Sequence, residues 1–205
     1  SKAPTAPATG PPSALSMCTA FFDWDLDGDE DLFVANGHID DNVELFTETT
    51  YAQPNQLFRN DGAAGFAEVS AAAGLGAVRS SRGMALGDCD NDGDLDIAVS
   101  HINARPSLLR NDMDGARNYL AVRTVGVESN RDGVGARIRV RTGSRVQVRE
   151  VRRGGSYLSS HDPRAFFGLG TSAQADEVEI RWLSGKMQRF EGVLAGQVLT
   201  AEEPR

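Results

Sequence analysis

The sequence predicts an all-β chain in which two copies of a short repeat precede a C-terminal β-sandwich or small barrel. Three observations support this prediction. Two acidic loops lead into β-prone segments, the segments around those loops recur, and the C-terminal part alternates polar and apolar residues. The chain has 205 residues and a formal net charge of −8, and no apolar stretch in it is long enough to span a membrane.

Two nine-residue loops, which start at Asp23 and Asp88, share the pattern D-x-D-x-D-G-x-x-D and lie 65 positions apart. Carboxylates at every second position repel one another unless a cation neutralises them, and hard oxygen ligands favour a hard cation such as calcium. A solvated acidic turn is the alternative interpretation, but the second copy of the pattern weakens it. The loops therefore predict two calcium sites.

The predicted ligand set is the same in both loops. Alternating aspartates turn toward one centre, the seventh residue offers its backbone carbonyl, the ninth adds a carboxylate, and Gly28 or Gly93 permits the bend. The predicted metal ligands are Asp23, Asp25, Asp27, Asp29 and Asp31 in the first loop and Asp88, Asp90, Asp92, Asp94 and Asp96 in the second.

Neither loop is expected to be an EF-hand. The twelfth position, where an EF-hand needs a bidentate Glu, is Val34 or Val99. Residues 32–35 and 97–100, which follow the loops, are short and β-prone rather than amphipathic helices. The loops are therefore expected to lead into strands.

The repeat extends beyond the loops, because residues 56–61 (QLFRND) are echoed by residues 107–112 (SLLRND). The first copy is longer, since 28 positions separate Asp31 from Arg59 but only 14 separate Asp96 from Arg110. The surplus is a polar, acidic stretch around residues 40–54. It is interpreted either as a recognition loop or as an ordinary tolerated insertion, and the sequence does not decide between them.

These residues resemble FG-GAP or VCBS repeats, which form the blades of integrin-α-like β-propellers. The resemblance rests on the D-x-D-x-D-G-x-x-D-[LI]-x-V core and on the N-x-L-[FL]-R-N-D-G-x-x-x-F-x-E-V-S continuation, although the chain holds barely two blade units. Propellers close with about four to eight blades. Partial blades are therefore expected, either because upstream blades belong to a longer chain, which we favour, or because the exposed edges self-associate.

The second half resembles the ASPIC/UnbV domain, which follows such repeats in the acidic secreted cartilage protein family and its bacterial relatives. The motifs are NYL (residues 118–120), SNRDGVGAR (129–137), REVR (149–152) with GSYLS (155–159), FGLG (167–170) and VEIRWLSG (178–185). One departure is Leu183, where the family is expected to favour proline. Together the two resemblances cover residues 17–200.

The pattern of residues 118–200 predicts an all-β domain independently of the family resemblance. Five segments alternate or nearly alternate, and a Thr-Gly-Ser turn at 142–144 joins two of them as a hairpin. These segments are residues 120–125, 136–141, 145–149, 177–182 and 197–200. The predicted domains are a Pro/Ala-rich linker at 1–16, two calcium-binding blade repeats at 17–115 and the ASPIC/UnbV-like domain at 116–205.

The charge divides unevenly between the halves. Residues 1–115 carry 19 acidic and 6 basic side chains, whereas residues 116–205 carry 10 and 15. The arginines of the second half alternate along strands, which favours a solvated sheet face over a site for a polyanion. The sequence leaves an acidic glycan as the alternative ligand of this basic half. No nucleic-acid-binding motif is present, so nucleic acid is not an expected partner.

A secreted or extracytoplasmic location is expected, because sites of this kind are useful where calcium is abundant and because the family is usually secreted. The chain has two cysteines, Cys18 and Cys89. The sequence does not decide whether they form a disulfide, and so they do not indicate the cellular compartment.

No nucleophile elbow, phosphate loop or histidine-rich cluster appears, and His38, His101 and His161 stand in unrelated contexts. A catalytic pairing of Ser156, Ser159 or Ser160 with His161 is disfavoured for the same reason. The leading hypothesis is a non-enzymatic calcium-binding adhesion module with a protein or glycan ligand. The alternatives are the propeller portion of a secreted carbohydrate-active enzyme whose catalytic residues lie largely outside this chain, and a purely structural spacer.

Overall fold

The computed structural model describes residues 14–112 and 117–205, and its regular structure is β-strand apart from two short 3₁₀ turns at Val43–Leu45 and Gly62–Ala64. The all-β prediction is confirmed. Most of the predicted linker, residues 1–13, lies outside the described residues. No helix in the described part of the chain is long and apolar enough to cross a membrane.

The first repeat forms a four-stranded antiparallel sheet in the order β1-β2-β4-β5. Its strands are β1 (Ser16–Phe22), β2 (Asp31–Asn36), β4 (Gln56–Asn60) and β5 (Phe66–Glu68), and a separate short pair joins β3 (Gln53–Pro54) to β6 (Val78–Arg79). The first acidic loop connects β1 to β2, as the sequence predicts.

The second repeat forms the sheet β7-β8-β9, whose strands are β7 (Ser81–Gly87), β8 (Asp96–His101) and β9 (Ser107–Leu109). The bounds of β7 and β8 are those of β1 and β2 shifted by the 65 positions that separate the loops. The second acidic loop therefore joins the same two strands of its sheet as the first. The predicted repeat is confirmed at the level of strands.

The C-terminal half contains nine strands, of which the hairpin β13-β14 stands apart and seven build two sheets. One sheet has the order β15-β10-β18, with β10 and β18 parallel, and the other has the order β12-β11-β16-β17. The strands are β10 (Asn118–Val125), β11 (Arg137–Thr142), β12 (Arg145–Glu150), β13 (Gly154–Ser156), β14 (Ser159–Ser160), β15 (Ala165–Gly170), β16 (Gln174–Arg181), β17 (Met187–Leu194) and β18 (Gln197–Glu202).

The predicted hairpin at residues 142–144 is confirmed. Thr142 pairs with Arg145, and Gly143 between them has a φ of 58°. A two-residue connection with positive φ matches the twist of the strands it joins.

The two larger C-terminal sheets pack face to face around a common core. Leu120, Phe167 and Ala201 contribute from one sheet, while Ile138 and Ile180 contribute from the other. Neither sheet closes on itself. Of the two predicted architectures, the domain is therefore the sandwich and not the barrel.

The sheet β15-β10-β18 is buried on both faces at its centre. Phe167 points into the sandwich core, whereas the adjacent Phe166 packs with Ala121 into the core of the repeats, beside Phe22 and Met84. Strand β15 is accordingly a continuous apolar run rather than an alternating one. Because both cores meet on this sheet, the repeats and the sandwich share a packed junction.

Candidate metal centres

The two acidic loops have the same backbone conformation. Their fourth residues, Leu26 and Asn91, are left-handed with φ of 56° and 61°, and their glycines, Gly28 and Gly93, have φ of 92° and 103°. Asparagine adopts this conformation readily, but leucine does so at a cost. Because leucine and asparagine differ in this preference, the rest of the loop, and not the fourth residue itself, imposes the left-handed conformation at this position.

The ninth aspartate of each loop links three parts of its repeat. Asp31 accepts hydrogen bonds from the backbone N–H of Trp24 at 2.8 Å and of Asn60 at 2.7 Å. Asp96 accepts the equivalent bonds from Cys89 and Asn111, both at 2.9 Å. Each carboxylate thus connects the start of its loop to the Asn-Asp turn that follows a neighbouring strand. These hydrogen bonds form within the protein and do not require a metal ion.

Side-chain oxygens converge in both loops. Those of Asp23, Asp25 and Asp27 lie within 4.8 Å of one another in the first loop, and those of Asp88, Asp90 and Asp96 do so in the second. Asp31 and Asp92 stand outside these two groups. Asp29, predicted to offer its carbonyl, has its carboxylate 2.9 Å from Arg145, and Asp94 is buried.

One buried oxygen occupies the same place in both loops and lacks a hydrogen-bond partner. It is Oδ1 of the first aspartate, Asp23 or Asp88, and these residues are 4% and 7% exposed. Among the described residues nothing donates to either atom, and leaving a buried carboxylate oxygen unsatisfied is costly. An all-oxygen donor set with an unsatisfied buried member fits a hard cation such as calcium.

Burial and mutual repulsion alter the acidity of these groups. Burial raises the pKa of Asp23 to about 7, the amide of Gly28 opposes this shift, and the carboxylates of Asp27 and Asp31 reinforce it. Burial also raises the pKa of Asp31, to about 6, against the hydrogen bonds from Asn60 and Trp24. The pKa values of Asp25 and Asp88 are raised for the same primary reason. The protein alone therefore stabilises the ionised form of these four carboxylates poorly.

Glu203 provides a contrast within the same chain. This side chain is 1% exposed, yet its oxygens accept hydrogen bonds from the backbone N–H groups of residues 127–129 and from the hydroxyls of Ser129 and Ser184. Burial alone would raise the pKa of Glu203, but these donors lower it to about 2. A buried carboxylate that the protein satisfies fully thus behaves oppositely to Asp23.

The first loop lies against the sandwich. The amide of Gly168 donates to Asp23 Oδ2 at 3.0 Å, and the amide of Gly170 donates to the carbonyl of Leu26, also at 3.0 Å. A Cβ atom at Gly168 would overlap both Asp23 Oδ2 and the backbone of Leu26. Only glycine permits this close approach of the two backbones.

Arginines of the C-terminal half surround the first loop. Arg117 Nη1 lies 2.8 Å from Asp25 Oδ1, Arg145 Nη2 lies 2.9 Å from Asp29 Oδ1, and Arg149 Nε lies 3.2 Å from Glu30 Oε1. The expectation that the alternating arginines form a solvated face is therefore wrong for Arg149, whose side chain is 18% exposed, while Arg145 stays 41% exposed and pairs with the acidic loop.

Within the described residues, the second loop meets the sandwich through side chains of that domain, those of Tyr119 and Arg164, and not through backbone amides. The ring of Tyr119 packs on Gly93 so closely that a Cβ there would overlap it. Arg164 Nη2 donates to the carbonyl of Asp88 at 3.2 Å, while its Nη1 lies 3.7 Å from Asp88 Oδ2. The ion pair with the Asp88 carboxylate is thus longer than a good hydrogen bond.

Two family models match this chain. The model of the FG-GAP-like repeat matches residues 23–99, and that of ASPIC and UnbV matches residues 126–205. Cartilage acidic protein 1 of Mus musculus is 36% identical to this chain over 112 residues. That match covers 51% of this chain and 17% of the relative.

The chain thus carries an FG-GAP-like match followed by an ASPIC and UnbV match, in the order that the sequence predicts. The FG-GAP-like match contains both acidic loops in full. Neither the family descriptions nor the name of the relative refers to a catalytic activity, which agrees with the expectation of a protein that is not an enzyme.

The Ser/His segment of the ASPIC/UnbV domain pairs with the FG-GAP-like repeats. Met84 donates its backbone N–H to Ser156 Oγ and Leu86 donates to His161 Nδ1, each at 3.0 Å. The amide of Asp162 returns a bond to the carbonyl of Leu86 at 2.8 Å. The side chains of Ser156 and His161 and the amide of Asp162 thus complete the hydrogen bonding along the edge of β7, a role that the sequence motif does not reveal.

The other histidines also have partners. His38 Nδ1 accepts the amide of Asp40 at 3.0 Å, and His101 Nε2 lies 2.9 Å from Ser107 Oγ. Burial lowers the pKa values of His101 and His161. Cys18 and Cys89 are both free, so the disulfide that the sequence left open is not formed.

Proposed function

We propose that this chain is a calcium-stabilised, extracellular binding module with an adhesion-like role and a protein or glycan ligand. The FG-GAP-like and ASPIC/UnbV domains support the coarser part of this proposal, an extracellular adhesion-like module. The observation that supports calcium is the unsatisfied buried Oδ1 of Asp23 and of Asp88 at the same position of two loops.

Asp23 gives the proposed metal site its structural role. Its Oδ1 lacks a protein partner, while its Oδ2 accepts the amides of Gly28 at 2.8 Å and of Gly168 at 3.0 Å. A bound calcium ion would supply the positive charge that the converging carboxylates need. Asp23 then stays ionised, and the ionised form is the stronger acceptor for the Gly168 amide. Metal binding and domain docking are thereby coupled through one side chain.

An extracellular location fits sites of modest affinity. For a dissociation constant near 0.1 mM and about 1 mM calcium, each site would add roughly 1.4 kcal/mol of stability by mass action. A site of that affinity would be largely filled outside the cell and empty in a cytosol that holds much less calcium.

Thermal unfolding tests the metal sites. The midpoint is measured in excess chelator and across a calcium titration, with magnesium as the ionic control. We expect a calcium-specific, saturable rise that becomes smaller in Asp27→Ala and in Asp92→Ala. Asp40→Ala is the matched control, because Asp40 is an exposed acidic residue outside both loops. No calcium-dependent rise, or an equal rise in all variants, would overturn the calcium sites.

Amide hydrogen exchange tests the coupling to the junction. The amides of Gly168 and Gly170, which donate to the first loop, should exchange more slowly in calcium than in chelator. The amide of Gly143 donates to Asp176 within the ASPIC/UnbV domain and should not change. Calcium-independent exchange at all three amides would mean that the metal, even if bound, does not fasten the domains.

A further inference from the structure

The insertion between β2 and β4 is an anchored segment. It contains 19 residues, 37–55, whereas only five residues, 102–106, join the corresponding strands β8 and β9. Its base is held by Arg82, which donates to the carbonyl of His38 at 2.8 Å, and by the buried Gln53, which accepts the amide of Leu15 at 2.8 Å. The side chain of Val43 is buried at 4% exposure and holds the centre of the segment down.

The tip of this insertion, residues 39–48, exposes three of its four apolar side chains. Ile39 is 66% exposed, and Leu45 and Phe46 are each 76% exposed. Burying a side chain of this size gains roughly 1.5–3 kcal/mol relative to leaving it in water. These three residues lie within eight positions, and the buried Val43 between them fixes the segment to the protein. Exposed apolar side chains grouped on an anchored segment are typical of a surface that another molecule covers.

The charges of the tip restrict what can cover it. Asp40, Asp41, Glu44 and Glu48 are all exposed, and residues 38–58 contain no lysine or arginine. Exposed apolar side chains interspersed with carboxylates match a partner surface that combines apolar side chains with basic ones. A sulfated or uronate glycan would meet like charge here, and it offers little apolar area to bury against leucine and phenylalanine.

We propose that the insertion tip docks a protein partner whose apolar contact surface is bordered by lysine or arginine. This inference rests on the proposed binding function and narrows its ligand from protein or glycan to protein. Phe46 and Leu45 insert into the partner, and the four carboxylates set the orientation and speed the encounter. The second repeat lacks the insertion, so the docking surface belongs to the first repeat alone.

Peptide selection against the intact chain tests this proposal. A library of displayed 12-residue peptides is selected in parallel on the wild-type chain and on Phe46→Ser, in calcium. We expect the peptides enriched on the wild-type chain alone to combine aromatic or aliphatic residues with lysine or arginine. A synthetic copy of the best peptide, measured by fluorescence anisotropy, should bind Phe46→Ser roughly tenfold more weakly, as for an aromatic anchor.

Controls keep the result specific to the tip. Leu158→Ser removes a leucine that is 88% exposed on the ASPIC/UnbV domain and should leave peptide binding unchanged. Leu45→Ser should weaken binding as Phe46→Ser does. Added salt should weaken binding to the wild-type chain, because the border is charged. All three variants should keep the wild-type melting temperature, since the replaced side chains are exposed.

Three results would overturn the proposal. These are equal peptide enrichment on wild type and Phe46→Ser, selected peptides that are acidic, and self-association that Phe46→Ser abolishes, which would make a second copy of this chain the occupant. Repeating the anisotropy in chelator separates this proposal from the calcium sites. Peptide binding that persists there supports the docking surface even if calcium causes no thermal shift.

Discussion

The two acidic loops share one backbone but differ in what covers them. In the first loop, positions two to five are buried or half-buried, and the amides of Gly168 and Gly170 contact the loop directly. In the second loop, the same positions, Cys89 to Asp92, are exposed. Identical motifs 65 positions apart therefore sit in different dielectric surroundings.

This difference separates two roles that a metal loop can have. The first loop forms part of the junction, because Asp23 joins the carboxylate cluster to the backbone of the ASPIC/UnbV domain. The second loop contacts that domain at its edge, through Tyr119 on Gly93 and Arg164 near Asp88. We therefore expect changes at the first loop to disturb the junction more than changes at the second.

The largest effect is expected from Gly168→Ala. The added methyl group would overlap Asp23 Oδ2 and the backbone of Leu26, and backbone atoms cannot move aside as a flexible side chain can. Overpacking of this kind should lower the free energy of unfolding by about 3 kcal/mol, measured by urea denaturation.

Gly76→Ala is its control, because a Cβ there meets nothing within 4 Å and Gly76 has no positive φ. It should have little effect. If Gly168→Ala were as mild as Gly76→Ala, the tight docking of the first loop would be contradicted.

Asp31→Ala and Asp96→Ala should be next in size and similar to each other. Each variant leaves two backbone amides without their carboxylate acceptor, those of Trp24 and Asn60 or those of Cys89 and Asn111. The expected loss is about 2 kcal/mol, and much of it should persist in chelator.

That persistence distinguishes the structural role of the ninth aspartate from its predicted role as a ligand. Asp31→Asn keeps one acceptor oxygen and should lose less than Asp31→Ala. A loss that appears only in calcium would mean that these residues act through the metal alone.

The repeat was readable from the sequence because it depends on local pattern. The acidic loops, the strands after them and the shift of 65 positions all follow from residue types at fixed spacing. The two hydrogen bonds that Asp31 accepts could not be predicted from the sequence. Its partner Asn60 lies 29 positions away and contributes a backbone amide, which has no sequence signature.

The junction was likewise hidden from the sequence. Periodicity shows that β15 is apolar, but it cannot show that Phe166 and Phe167 enter different cores. The alternating arginines looked like a solvated face because their acidic partners, Asp29 and Glu30, lie more than 100 positions away in sequence. Pairings across a domain interface depend on the tertiary arrangement, and a single sequence does not encode that arrangement as a local pattern.

Asp27→Ala and Asp92→Ala should each remove about 1.4 kcal/mol of calcium-dependent stability at about 1 mM calcium, if both sites have dissociation constants near 0.1 mM. Terbium luminescence can assign the loss to a loop. Trp24 lies in the first loop and Cys89 takes its place in the second, so tryptophan-sensitised emission should report the first loop.

We expect that emission to be lost in Asp27→Ala and kept in Asp92→Ala. Equal loss in both variants would mean that the two sites fill together, and the contrast between the loops would then not extend to metal binding.

The smallest effect is expected from Arg117→Gln, which should strengthen metal binding at the first loop. Arg117 Nη1 lies 2.8 Å from Asp25 Oδ1 and 3.8 Å from Asp27 Oδ2, so its charge competes with a cation for the same carboxylates. The side chain is 36% exposed, and solvent limits the effect to about 1 kcal/mol, or roughly a fivefold gain in affinity. Arg123→Gln, an exposed arginine on β10, should change nothing. Titration of Trp24-sensitised terbium emission measures the affinity, and an unchanged or weaker value in Arg117→Gln would show that this arginine supports the loop instead of competing for it.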